Sequence, residues 1–256
     1  MSKSIERTQK PFLVAFYCFP NNLLFLVSTG FYNRKGFILS QHPLESTISA
    51  MWQLVAEQDV QVIVVLTNLD NHDYRPFWPA GTNGQMMWDA GHSQFTVSLV
   101  SQDDLFPRTV HLKLEVSDVS CTAPDLHFIF QSGNISREVV VVQCSNWPQQ
   151  CSPLSTVFDL IKLVDVEALR MTGGSRENPI LVMDRNGGSQ AASFCNLMSL
   201  WHQLEFEGCV DVFQLARLYN YSRPGLWRSQ VCYLDTLVIL VLITHVRMIT
   251  SSSTVH

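Results

Sequence analysis

The stretch Ile180-Leu181-Val182-Met183-Asp184-Arg185-Asn186-Gly187-Gly188-Ser189-Gln190-Ala191-Ala192-Ser193-Phe194 decides the reading of this chain. Ile180 to Met183 is apolar throughout and spells a short buried strand. Asp184 to Gln190 is a loop with Gly187 and Gly188 in its middle. From Ala191 to Glu207, Phe194, Leu197, Met198, Trp201 and Leu204 recur at helical spacing. Strand, glycine-bearing loop and helix N-terminus in that order make an anion-binding design. Glycines let backbone N–H groups converge, and the helix dipole adds positive potential. Arg185 adds a cation, but a loop arginine reads most simply as solvated. A glycine pair after a strand is also what an ordinary turn looks like, so the loop is weighed by its context.

Upstream, Ile48, Met51, Trp52 and Val55 follow Pro43-Leu44 with i, i+3, i+4, i+7 spacing, the mark of an amphipathic helix. Gln61 to Leu66 reads as a fully buried strand, and Pro79, Gly81 and Gly84 mark a loop. Phe95 to Ser101, Thr109 to Val116, Leu126 to Phe130 and Glu138 to Cys144 read as strands. In the second of these Val110, Leu112, Leu114 and Val116 share one face, with His111, Lys113 and Glu115 on the other. Leu154, Val157, Phe158, Ile161 and Val164 form a helical stripe. Val212 to Tyr219 is a last helix before Arg223-Pro224-Gly225. The order predicts an α/β fold: a mixed, twisted sheet flanked by helices on both faces.

The chain has 256 residues and is 46% hydrophobic, enough for one sizeable core. Its net charge of −5 and only 17 Lys plus Arg leave no nucleic-acid footprint. The 7 cysteines form no CxxC pair and no metal-ligand spacing, which fits reduced thiols. No metal or other cofactor is expected. The apolar tail from Leu234 to Ile249 carries Asp235, His245 and Arg247. It falls short of the roughly 20 clean apolar residues a membrane span needs.

Several segments, in order, resemble the protein tyrosine phosphatases. Phe37 to Leu44, then Thr47 and Trp52-Gln53-Leu54-Val55, resemble that family's "TQxPL…T…FW" segment. Tyr74 to Pro79 is similar to "Y…YWP", and Asn146-Trp147-Pro148-Gln149 to the mobile "GWPD" loop. Val182 to Phe194 aligns without a gap onto the signature "VHCSAGxGRTGTF". Val210 to Phe213 and Arg223-Pro224-Gly225 match "DVF…RPG". The "QHPL" form resembles the membrane-distal, second domain of receptor-type enzymes. The gamma/zeta type is the nearest, because its distal domain also has Asp at the cysteine position.

The resemblance implies roles position by position. The nucleophilic cysteine, which attacks phosphorus as a thiolate, falls on Asp184. The arginine that clamps the phosphoryl oxygens falls on Gln190. The general acid falls on Gln149, an amide. The histidine before the cysteine is Met183, the hydroxyl after the arginine is Ala191, and the late water-positioning glutamine falls on Cys232. A carboxylate at Asp184 facing phosphate at ~4 Å would repel it by roughly 4 kcal/mol per unit pair at an effective dielectric of ~20. Asp184, Arg185, Asn186, Gly187, Gly188, Ser189 and Gln190 then form a vestigial phosphate loop.

The expected function is that of an inactive, pseudophosphatase domain with a regulatory or protein-interaction role. The alternatives are an active family hydrolase or a phosphotyrosine-binding trap. A haloacid-dehalogenase reading of Ile180 to Gly187 lacks the second aspartate of that motif, since Asn186 stands there. The implied partners are the membrane-proximal catalytic domain of the same or a second receptor and other signalling proteins, on the cytoplasmic side of the plasma membrane. The expected layout is 31–240 as the phosphatase-like domain, 1–30 unassigned and 241–256 an atypical tail. The family's "KNRY" and "YINAS" segments are not found before Phe31, so the N-terminal part reads as truncated.

Overall fold

The computed structural model describes residues 16–18, 24–28, 30, 36–67, 74–81, 84–90, 93–105, 107–118, 135–144, 147 and 155–222. The sequence expectations at 126–130, Gln149, Cys232 and 234–249 lie outside them.

The described strands are β1 (Phe16–Cys18), β2 (Leu24–Ser28), β3 (Phe37–Gln41), β4 (Val62–Val65), β5 (Gln85–Ala90), β6 (Ser93–Asp103), β7 (Arg108–Asp118), β8 (Ile135–Gln143) and β9 (Ile180–Asp184). The helices are α1 (Ile48–Glu57), α2 (Ser155–Met171), α3 (Ser189–Glu207) and α4 (Val212–Ser222). The strands form one sheet in the order β1-β2-β3-β9-β4-β8-β7-β6-β5. The β3–β9, β9–β4 and β4–β8 pairs are parallel, and the pairs toward both edges are antiparallel. A mixed α/β sheet was expected, and the structure has one.

The parallel centre follows from its residues. In β9, Ile180 and Val182 face one core while Leu181 and Met183 face the other. Val62 and Val64 of β4 oppose Ile63 and Val65 in the same way, as do Val140 and Val142 of β8 with Val139 and Val141. Strands buried on both faces must be apolar throughout, which is why these runs do not alternate. On one face Val157, Leu160, Ile161 and Val164 of α2 and most of α3 cover the sheet. On the other, Met51, Trp52, Leu54 and Val55 of α1 pack with Phe77, Trp78 and the β6–β8 side chains. The alternation read in β7 holds: Val110, Leu112, Leu114 and Val116 are all buried.

Four differences stand out. β3 and β5 are strands that the sequence reading does not assign. Two further strands, β1 and β2, lie in the stretch left unassigned, and β2 pairs with β3 through Phe25–Ser40 to Ser28–Phe37. Helix α3 begins at Ser189, not Ala191, so Ser189 and Gln190 belong to its first turn rather than to the loop. Finally, α3 is buried nearly all round: Ala191, Ala192, Cys195 and Leu200 are as inaccessible as the expected Phe194 and Leu197, whereas Trp201 is only partly buried. A helix buried on every side shows no clean apolar stripe.

Candidate functional site

The loop sits at the carboxyl end of the central parallel strands, where open α/β sheets place ligands. Neighbouring strands fix its start. The His42 N–H donates to the Asp184 carbonyl at 2.8 Å, and the Leu66 N–H to the Met183 carbonyl at 2.9 Å. Gly187 then turns the chain with φ 61°. A Cβ there would lie 2.6 Å from the Gln41 nitrogen and 2.7 Å from the Ser40 carbonyl carbon. Only glycine fits a left-handed turn pressed against another backbone.

The Asp184 side chain is 3% exposed. Its carboxylate turns into the loop. Its Oδ1 accepts from the backbone N–H of Asn186 at 2.8 Å and of Gly188 at 2.9 Å. Its Oδ2 accepts from Gly188 at 3.0 Å and from Ala191 at 2.9 Å. Both oxygens are thus engaged by N–H groups at the start of α3, and the helix dipole favours the negative charge there. Attack on phosphorus would require giving up these bonds.

The other loop residues point elsewhere. Arg185 is exposed; its Nε donates to the Tyr74 hydroxyl at 2.8 Å, and its guanidinium lies 5.5 Å from that ring's centre. The bland expectation of a solvated arginine therefore gains a definite partner. Gln190 Nε2 donates to the Trp147 carbonyl at 3.2 Å. Trp147 is buried and meets Phe194 edge-on at 5.5 Å. Met183 and Ala191 are buried.

Two titratable groups lie close by. Cys195 of α3 is fully buried, and burial, with the Asp184 charge adding to it, pushes its thiol well above the ordinary range. His42 packs against Tyr74 and Phe77, its Nε2 3.0 Å from the Arg75 carbonyl. Burial lowers its pKa below the usual histidine value, with the Arg75 hydrogen bond opposing. A further histidine, His202, pairs with Asp165 at 2.9 Å, and Asp165 also holds Arg176 at 2.9 Å. This cluster ties α2 to α3, away from the loop. Among the described residues no group of His, Cys, Asp or Glu is placed to hold a metal ion. No helix among them is long and apolar enough to cross a membrane.

Sequence could not reveal which backbone groups Asp184 meets, nor that Trp147 supplies a carbonyl to Gln190. The spacing from Asp184 to Asn186 and Gly188 was the available signal. A short carboxylate two residues before an N–H, at a helix entry, is a ready local acceptor.

A mixed sheet whose central parallel strand runs into converging backbone N–H groups and a helix N-terminus defines an α/β protein with a strand–loop–helix anion cradle, here filled by its own carboxylate. The family model for protein-tyrosine phosphatases matches residues 21–241, and the chain belongs to that family. It is 32% identical over 200 residues to receptor-type tyrosine-protein phosphatase zeta of Rattus norvegicus and of Homo sapiens, a match covering 77% of this chain and 8% of each relative. It is 30% identical to tyrosine-protein phosphatase 99A of Drosophila melanogaster, over 78% of this chain and 14% of that protein. The chain therefore spans a small part of the length of these relatives.

Proposed function

We propose that this domain is a catalytically inactive tyrosine-phosphatase domain that serves a receptor-type phosphatase as a regulatory or protein-contact module. One observation carries the reading: the carboxylate of Asp184 occupies the N–H cradle of the loop, bonded to Asn186, Gly188 and Ala191. The family resemblance puts the nucleophile at that position, the phosphate clamp at Gln190 and the general acid at Gln149. A carboxylate held by amides is a poor nucleophile and would yield a mixed anhydride. A glutamine amide engaged with the Trp147 carbonyl supplies no positive fork for phosphoryl oxygens. Losing nucleophile, clamp and acid together is harder to rescue than losing one.

A module of this kind acts through its surface. The membrane-proximal catalytic domain of the same or a second receptor is the natural partner, with other signalling proteins beside it. The names of the receptor-type relatives support a place on the cytoplasmic side of the plasma membrane. A phosphotyrosine trap is disfavoured by the same Asp184 charge.

The test is turnover of p-nitrophenyl phosphate by the purified protein. No hydrolysis above a buffer blank is expected. Turnover that disappears in Asp184→Asn would overturn the reading.

A further inference from the structure

Asp184 invites a more specific conclusion than inactivity. Three backbone N–H groups, of Asn186, Gly188 and Ala191, converge on its two oxygens at 2.8 to 3.0 Å. The Gly188 N–H is shared between both oxygens. The side chain is 3% exposed, and the Ala191 bond is fully buried. A carboxylate presents two acceptor atoms on a two-bond tether, so it can reach both walls of such a cradle at once. Below, Gly187 runs so close to β3 that an added Cβ would lie 2.6 Å from the Gln41 nitrogen and 2.7 Å from the Ser40 carbonyl carbon. The convergent N–H groups that would receive an anion are already taken by the carboxylate.

We propose that Asp184 is the built-in anion of this loop: it holds the convergent N–H groups in the shape they would take around a phosphoryl group, and keeps the loop closed to external oxyanions. The inference rests on reading the loop as a former phosphate cradle, and it adds two consequences. The folded loop depends on the carboxylate, because without it buried N–H groups lose their acceptor. Removing the side chain, by contrast, opens a vacancy that a tetrahedral oxyanion fits.

The experiment is thermal unfolding of the full chain and two variants, with and without sodium tungstate. The parent should shift by less than about 1 °C with tungstate, since nothing binds. Asp184→Ala should unfold about 5–10 °C lower, and tungstate should recover several degrees of that loss. Asp184→Asn keeps the volume and one acceptor but turns an amide toward the Ala191 or Asn186 N–H. It should be destabilised and stay indifferent to tungstate. If Asp184→Ala does not fold, the parent and Asp184→Asn carry the comparison, with the Gly188 and Ala191 amide resonances of the parent unmoved by tungstate. A parent that binds tungstate with Asp184 in place, or variants as stable as the parent, would overturn the proposal. The two readings fail separately. A parent that hydrolyses p-nitrophenyl phosphate overturns the inactive reading, whereas an inert parent that binds tungstate overturns only this one.

Discussion

Beneath the turn from β9 into α3 and at its mouth, the stretch Asp184 to Gln190 answers to different demands. Underneath, Gly187 adopts φ 61° and its missing Cβ makes room for the backbone of β3. The His42 and Leu66 N–H groups tie the strand end to its neighbours. At the mouth, Asp184 turns inward onto N–H groups, Gln190 reaches the Trp147 carbonyl, and Arg185 leans on Tyr74. The underside is fixed by sterics that any sequence with this sheet must satisfy. The mouth is fixed by side chains that pair within the protein. A loop can thus keep its frame while the groups that would meet a substrate are drawn into internal bonds.

That comparison breaks most easily at Gly187. Gly187→Ala adds a Cβ into backbone and forces a left-handed φ on alanine. A loss of about 2–5 kcal/mol is expected in urea unfolding, and a near-neutral result would mean the underside is not rigid. His42 sharpens the same side through pH. Its folded-state pKa is lowered, so the unfolded chain takes up a proton first as pH falls through about 6.5. Stability contributed by the neutral ring is present above that pH and is lost on acidification, by at most about 1.4 kcal/mol per pH unit. His42→Gln should flatten the dependence of the unfolding midpoint on pH below about 6.5. An unchanged slope would remove His42 as its source.

Effects at the mouth should be smaller. Gln190→Ala removes a partly buried hydrogen bond to Trp147, at about 0.5–1.5 kcal/mol, and should alter tryptophan fluorescence. Gly188→Ala is the mildest, since its Cβ would meet nothing nearer than Asp184 Oδ2 at 4.0 Å. A cost of up to about 1 kcal/mol is expected, and a cost equal to that of Gly187→Ala would erase the distinction between the two glycines.

Much of the frame was legible because its cause is one-dimensional. β4, β8 and β9 are short apolar runs since both their faces are covered, and β7 alternates since only one is. The loop was legible from its glycines and the helix behind it. β3 was hidden inside a stretch noticed for its motif. β5 was hidden because Gln85–Ala90 mixes polar and apolar residues on an edge strand, with Met87 largely exposed. The start of α3 was misplaced by two residues because Gly188, which has no side chain to cap with, sits at the N-cap. The positions of Asp184 and Gln190 could be picked out from sequence, but the direction of their side chains could not. A carboxylate can face solvent, ligand or its own backbone, and only the converging N–H groups decide.

In the proposed reading the cradle kept its shape and lost its reaction. The most direct measurement is hydrolysis of p-nitrophenyl phosphate by the parent chain beside the combined variant Asp184→Cys, Gln190→Arg, Gln149→Asp. No turnover is expected from the parent and measurable turnover from the variant, whose loop still rests on Gly187. Turnover by the parent, with Asp184 and Gln190 in place, would contradict it.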